Sequence, residues 1–273
     1  MRLCAFADEA SNDLQGQIDA LLRNNMKLLE IRGVDGENIK DISHAKIEKI
    51  KAELDKNGLK VWSLGSPMGK NDPENDFEKQ IYDFEHLMES AQILGCNRIR
   101  LFSFYTRDEK LALDRLERFL KVTPSGIVLC HENEKGIFGD IWQNCEKIHK
   151  ALPEIKAIFD PANFVQCDVD TKEAWANLSK YVDYMHIKDA QKNKQVVPCG
   201  MGAGNLEYLL GEYAKNGGEV LTLEPHLMEF YGLSELENGE SLAKSPVYTD
   251  TNVAFDSGAN ALKCTLDKLN LKY

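Results

Sequence analysis

Four residues with the chemistry of metal ligands recur through the second half of the chain, each at or near the end of a short apolar run. Glu132 closes GIVLCHE (126–132), Asp160 closes AIFD (157–160), His186 lies inside YMHIKD (184–189) and Glu224 closes VLTLE (220–224). Each alone has an ordinary explanation. Asp160 precedes Pro161 and opens a turn as readily; His186, between Met185 and Ile187, reads as a hydrogen-bonded core histidine; Glu132 and Glu224 read as charges surfacing where a strand stops. Their joint occurrence is the signal. Three carboxylates brought together without a cation repel one another strongly, and one divalent metal ion is the economical partner. Three carboxylates with one imidazole suit Mn²⁺ best, with Mg²⁺ or Co²⁺ also fitting and Zn²⁺ accepted less typically. Positions would stay open for two substrate oxygens.

Convergence of the four depends on the elements that carry them. Eight short β-branched or apolar runs alternate with amphipathic stretches: LCAFAD (3–8), LLEIR (28–32), LKVWSLG (59–65), RIRLFS (98–103), GIVLCHE, AIFD, YMHIKD and VLTLE. The clearest helix is HAKIEKIKAELDKNG, with Ile47, Ile50 and Leu54 on one face and Gly58 as its stop. FEKQIYDFEHLMESAQILG, LALDRLERFLK, NLEYLLGEYAKNGG and NALKCTLDKLN read the same way. Repeated strand-helix units predict an α/β fold with a parallel sheet, and eight of them in 273 residues predict a single (β/α)8 TIM-barrel domain over 1–273. In a barrel the last four strand ends are neighbours at the mouth where active sites form. The stretches 66–76 and 225–250 lack a pattern and follow strands, which makes them lid candidates.

A net charge of −11 with no basic block argues against a nucleic-acid partner. Seven cysteines, scattered singly and odd in number, read as reduced thiols of a cytoplasmic protein. No apolar run approaches the ~18 residues of a membrane span, and MRLCAFADEASND reaches acidic residues too early for a targeting signal. A soluble cytoplasmic protein is the expectation, with no membrane partner.

LCHENEKGIFGD, FDPANF, MHIKDA, PCGMGAGNL and LTLEPH, in this order, resemble the xylose isomerase-like TIM-barrel superfamily of sugar and sugar-phosphate isomerases and epimerases, which includes ketose 3-epimerases and inositol-pathway enzymes. The resemblance covers essentially the whole chain. It implies Glu132, Asp160, His186 and Glu224 as metal ligands and Glu132 and Glu224 as the acid/base pair. The implied reaction is proton transfer next to a carbonyl through a metal-stabilised enediolate. Two carboxylates working on opposite faces of one carbon would epimerise it, and a single carboxylate shuttling the proton between carbons would interconvert aldose and ketose. Substrate contacts are expected from Glu134, Asn163, Lys188 and His226, the ligand being a small sugar or sugar phosphate. Glu134 stands where members with a strand-five E-N-H pattern carry histidine, and Asn163 where a ketose epimerase usually does. Homo-oligomers are common in the superfamily.

Other residues stay open between two readings. Side-chain period two puts His186 and Lys188 on the lumen face, so Lys188 either binds substrate or joins Asp189 as a solvated rim pair. Arg32, Lys70, Tyr105 and Arg107 lie at or just after earlier strand ends, where they either bind substrate hydroxyls or a phosphate or, the reading preferred for each individually, are exposed surface groups. CGMGAGN is either a phosphate-holding loop or a tight turn. Trp62, Phe102, Phe104 and Tyr105 form either a wall for a sugar ring or barrel filling. Competing functions are an inosose dehydratase-like lyase sharing the H-x-K-D strand, an endonuclease IV-like phosphodiesterase, which would need further histidines on early strands, and a non-catalytic sugar-binding barrel.

Overall fold

The computed structural model describes residues 1–231, 233 and 248–273. Eight strands close into a barrel: β1 (Arg2–Ala5), β2 (Leu28–Ile31), β3 (Lys60–Leu64), β4 (Arg98–Leu101), β5 (Val128–Glu132), β6 (Lys156–Phe159), β7 (Val182–Ile187) and β8 (Val220–Leu223). Each pairs in parallel with its sequence neighbours, and β1 pairs with β8 through Arg2–Ala5 against Val220–Leu223. All eight runs picked out from the sequence are strands of this barrel. The helices between them are α1 (Leu14–Arg23), α2 (His44–Lys56), α3 (Phe77–Leu94), α4 (Glu109–Val122), α5 (Trp142–Ala151), α6 (Pro161–Gln166), α7 (Thr171–Leu178), α8 (Leu206–Lys215) and α9 (Thr251–Lys268). No helix among the described residues is long and apolar enough to cross a membrane.

Strand parity decides what fills the barrel. Leu29 and Ile31, Ile99 and Leu101, and Met185 and Ile187 face outward into the apolar layer beneath the helices. The alternate residues Glu30, Arg100, Tyr184 and His186 therefore point into the lumen, all but fully buried. The lower lumen is plugged by Cys4, Leu28, Cys130, Ile158, Tyr184 and Val220, with Trp62 beside them. Trp62 packs edge-on to Tyr184, with Arg98 3.8 Å over its ring, so it is barrel filling. Charge concentrates instead at the C-terminal mouth.

Local chemistry sets the helix ends. Asp13, Asp76, Asp108 and Asp250 each cap a helix by accepting a backbone N–H of its first turn, and Gly95, at φ 70°, ends α3 in the left-handed conformation. The 66–76 loop is strapped to the chain after β4, since Phe102, Phe104 and Tyr105 donate backbone N–H groups to the carbonyls of Met68, Gly69 and Asn71 at 2.8, 2.6 and 3.0 Å. That strapping carries Lys70 to the mouth. Most of the second lid candidate, 225–250, lies outside the described residues.

One outer-layer histidine, His149, should contribute to acid sensitivity of the fold. His149 on α5 is buried, stacked on Tyr181 at 5.1 Å, with Nδ1 3.0 Å from the Ile155 carbonyl. Burial pushes its pKa down from 6.5 to about 4 against that hydrogen bond, so the folded protein holds it neutral. Above pH 6.5 both states are neutral; between 6.5 and 4 only the unfolded chain takes the proton, and stability falls as pH falls. The loss attributable to this residue is about 3 kcal/mol at most. Denaturant titrations of wild type and His149→Phe from pH 7 to 4 should show a shallower pH dependence in the variant; parallel curves would remove His149 as the cause.

Candidate metal and active site

Glu132 ends β5, Asp160 follows β6 and caps α6, His186 is the penultimate residue of β7 and Glu224 follows β8. All four are buried, and one ligand atom from each lies within 4.8 Å of the others. His186 Nδ1 stands 3.0 Å from Glu132 Oε1 and 3.3 Å from Glu224 Oε2. An arginine holds the second oxygen of each glutamate: Arg100 reaches Glu132 Oε2 at 3.0 Å and Arg32 reaches Glu224 Oε1 at 3.0 Å. Each carboxylate is thus fixed by one oxygen and presents the other to the centre.

Behind the centre, His186 Nε2 faces Glu30 Oε2 at 3.2 Å, and Glu30 Oε1 accepts from the Tyr184 hydroxyl at 2.8 Å. Tyr184 in turn lies 3.1 Å from Ser63. A carboxylate on the far nitrogen fixes the ring and strengthens the near nitrogen as a ligand. Burial alone would lower the His186 pKa, but Glu132 and Glu30 outweigh it and raise it well above the usual value. Asp160 is pushed up by burial despite Lys188, whereas Glu224 is held well below the carboxylate range because Lys188 and His226 outweigh its burial.

The residues fit a divalent cation. Asp160 Oδ2 and Glu224 Oε2 are buried and accept no well-aligned hydrogen bond; the Lys188 ammonium stands 3.1 and 3.7 Å from them, and His186 Nδ1 lies 3.3 Å from Glu224 Oε2. Three carboxylates and an imidazole converging around two such oxygens supply hard donors that one ammonium satisfies poorly.

Glu9, Glu224 and His226 form a second group of possible ligands. A guanidinium already stands among them, Arg32 lying 3.3 Å from Glu9 Oε1 and 2.8 Å from Asp8 as well as on Glu224. That fixed cation opposes a second metal ion there. Burial raises Glu9 to about 7 even though His226 and Arg32 pull it down.

The chain matches the family model described as Xylose isomerase-like TIM barrel over residues 18–244. It belongs to that family. No curated protein matches the chain at the level of sequence. Among solved structures, the IOLI protein with a binding zinc atom superposes with a TM-score of 0.76 at 16% identity, over 98% of this chain and 99% of its own. The D-allulose 3-epimerase of Methylomonas sp. in complex with D-allulose gives 0.77 at 14% identity, over 98% and 96%. The probable 3-DHS dehydratase AsbF of Bacillus anthracis gives 0.72 at 14%, over 96% and 99%. These likenesses establish the shared fold.

On this xylose isomerase-like barrel, the remaining residues predicted from sequence fall into place unevenly. The HENE stretch divides its work. His131 faces outward to Ser103 Oγ at 3.0 Å, and Asn133 exchanges two 2.9 Å hydrogen bonds with the Asp160 backbone. Glu134 pairs with Lys70 at 2.7 Å; burial would raise its carboxyl, but Lys70 and Lys188 hold it down at about 2. Asn163 donates to the Asn133 carbonyl at 2.9 Å and lies 3.4 Å from Glu132 Oε1. Lys188 is buried against Asp160, so it is no rim residue. His226 lies 3.4 Å from both Glu9 and Glu224.

The exposed reading of Arg32 and Lys70 is corrected: Arg32 is buried among Asp8, Glu9 and Glu224, and Lys70, a half-buried residue, has its side chain only 8% exposed against Glu134. Arg107, 67% exposed beside Asp140, is a surface group. Glu30, Arg100, Tyr184, Asn133 and Glu9 carry structure at the centre without having been singled out from sequence. The flanking pattern that exposed His186, a polar residue between two outward apolar ones, is equally present around Glu30 and Arg100.

The glycine-rich stretch is a turn built around the chain's own anion. Asp189 accepts backbone N–H groups from Ala190, Gly200, Gly202 and Gly204 at 2.9 to 3.0 Å. A Cβ on Gly202 or Gly204 would come within 2.3 or 2.7 Å of its Oδ1, which explains the glycine spacing. This carboxylate fills the place a phosphate would take. Asp189→Asn, which turns one acceptor into a donor facing N–H groups, should lower stability by about 2 to 4 kcal/mol. Denaturant midpoints check this; an unchanged midpoint would mean that the loop holds its shape without the carboxylate.

Proposed function

We propose that the protein is a divalent-metal-dependent sugar or sugar-phosphate isomerase or epimerase acting by proton transfer next to a carbonyl. The observation that carries the reading is the paired glutamates: Glu132 and Glu224 come from the two ends of the β5–β8 arc, each with one oxygen on an arginine and one at the His186 centre. Asp160 and His186 complete the set of residues that would hold the ion, with Mn²⁺ favoured by the oxygen-rich donors. A divalent cation there would supply a Lewis acid for a substrate carbonyl and its adjacent hydroxyl, stabilising negative charge as the neighbouring C–H proton leaves.

The chain's own groups supply the rest. One glutamate takes the proton and the other returns it, each transfer contributing roughly 10²- to 10⁴-fold. Arg100 and Arg32 prevent either carboxylate from turning away. Lys188, buried beside Asp160 and Glu224, is placed to donate a hydrogen bond to a substrate oxygen, with Glu134, Asn163 and His226 around it. The zinc of the IOLI protein and the D-allulose bound by the Methylomonas epimerase are consistent with this reading.

Dehydration of a keto-inositol or related ring is the second reading. It is favoured by Lys188 and by Glu9, whose carboxyl, lifted to about 7, can release a proton to a departing hydroxyl. Endonuclease-like hydrolysis is disfavoured by Arg32, and a binding-only barrel by the complete donor set.

The test is solvent-deuterium incorporation followed by NMR, with Mn²⁺ and a panel of ketoses and ketose phosphates, beside product mass. Deuterium next to the carbonyl with unchanged carbon-skeleton composition is expected. Loss of one water would transfer the assignment to the dehydratase, and absence of both from every substrate would remove the isomerase reading.

A further inference from the structure

A cavity of about 440 Å³ opens beside the metal centre on the β1–β3 side of the mouth. That size is ordinary for a small-ligand site. Its inner wall is Arg32, Asp8 and Lys70, and its outer wall is the ribbon formed by Gly33–Val34 and Glu37–Asn38, closed on one side by Asn12. None of the four candidate metal ligands lines it. Arg32 is the partition, contacting Glu224 on one side and lining the cavity on the other. A ligand chelated at the centre would fill this cavity only by extending past Arg32.

Charge decides what the extension is. The lining carries three carboxylates, Asp8, Glu37 and Asp41, against three cations, Arg32, Lys40 and Lys70, which sum to zero. The cations are already committed, Arg32 to Asp8, Lys40 to Asp41 and Lys70 to Glu134. A phosphate or carboxylate would gain no net attraction and would have to break these pairs. A neutral group rich in hydroxyls would instead find donors and acceptors on every side, including Asn12 and Asn38. At the rim Tyr231, 67% exposed, lines the cavity with its phenol end 3.4 to 3.6 Å from where a Cβ on Gly36 would stand, and an exposed aromatic ring is a partner for the C–H face of a sugar.

We infer that this cavity is a second sugar subsite, and that the substrate is a carbonyl sugar bearing an uncharged second ring on the carbons remote from its carbonyl. The inference rests on the isomerase or epimerase reading for its chemistry, but the cavity's preference is measurable by binding alone.

The experiment compares D-fructose with isomaltulose, fructose carrying a glucosyl ring on its 6-hydroxyl, using Mn²⁺-loaded protein in calorimetry and in the deuterium-exchange assay. Isomaltulose should bind roughly tenfold tighter than fructose, the effect of one or two added hydrogen bonds and a ring contact. Asn12→Trp, which fills the cavity from an exposed loop position, should erase that advantage and leave fructose binding and exchange unchanged. Tyr231→Ala should reduce it in part. Equal binding of the two sugars, or an advantage that survives Asn12→Trp, overturns the subsite whether or not exchange occurs. If isomaltulose binds preferentially through the cavity but neither sugar exchanges deuterium, the subsite stands and the isomerase reading is the one that fails.

Discussion

Glu224→Gln is expected to lower substrate deuterium exchange by about 10³-fold at saturating Mn²⁺, within the range that positioned proton transfer supplies. The amide keeps an oxygen for Arg32 to hold at the 3.0 Å position and another polar atom facing His186, so the pocket should survive. What it loses is the capacity to take a proton. Because Glu224 is also a proposed ligand, the assay belongs at metal concentrations shown by titration to saturate the variant. Glu132→Gln is the informative companion. An epimerase needs both carboxylates on one carbon, so the two variants should lose comparable factors. A single-carboxylate shuttle between carbons would leave one variant far more active than the other. Exchange that persists within tenfold of wild type in both would remove the glutamates from the chemistry.

The barrel was legible because parallel strands buried on both sides are nearly continuous apolar runs, and all eight announced themselves. Four helices, α1, α5, α6 and α7, were not picked out, and α1 and α5 show why. The α1 segment LQGQIDALLR contains Gly16 and two glutamines, and α5, WQNCEKIHKA, starts without a side-chain cap and offers few apolar residues per turn. Packing secures the helicity of α1 and α5 more than residue propensity does, with the Asp13 cap as the local contribution to α1. At the site, residues that end strands were visible because polarity interrupts an apolar run there. Glu30 and Arg100 lie inside strands, where a single charge carries no sign of which partner neutralises it. Arg32 illustrates the limit: its carboxylates lie 24 and 23 residues before it and 192 after it. Only closure of the barrel between β1 and β8 makes them neighbours. The glycine-rich loop posed the converse difficulty, since a nest for an anion looks the same in sequence whether the anion comes from solvent or, as here, from Asp189.

Glu30→Gln should weaken Mn²⁺ binding by 10- to 100-fold, the usual effect of removing the carboxylate behind a ligating histidine. Glu30 touches neither the other candidate ligands nor the open side of the site, and acts through His186 Nε2 at 3.2 Å. It is a positioning residue, and its effect should appear in metal affinity by calorimetry rather than in turnover at saturating metal, which should change far less. Its own orientation depends on Tyr184, whose hydroxyl donates to it at 2.8 Å, so Tyr184→Phe should weaken metal binding in the same direction by a smaller factor. A merely structural role predicts another pattern, with both variants losing thermal stability and the correctly folded fraction binding metal as tightly as wild type. If Glu30→Gln folds and its metal affinity is unchanged, then His186 is oriented well enough by Glu132, Glu224 and the barrel wall alone, and the Ser63–Tyr184–Glu30 chain serves only to satisfy polar groups enclosed in the lumen.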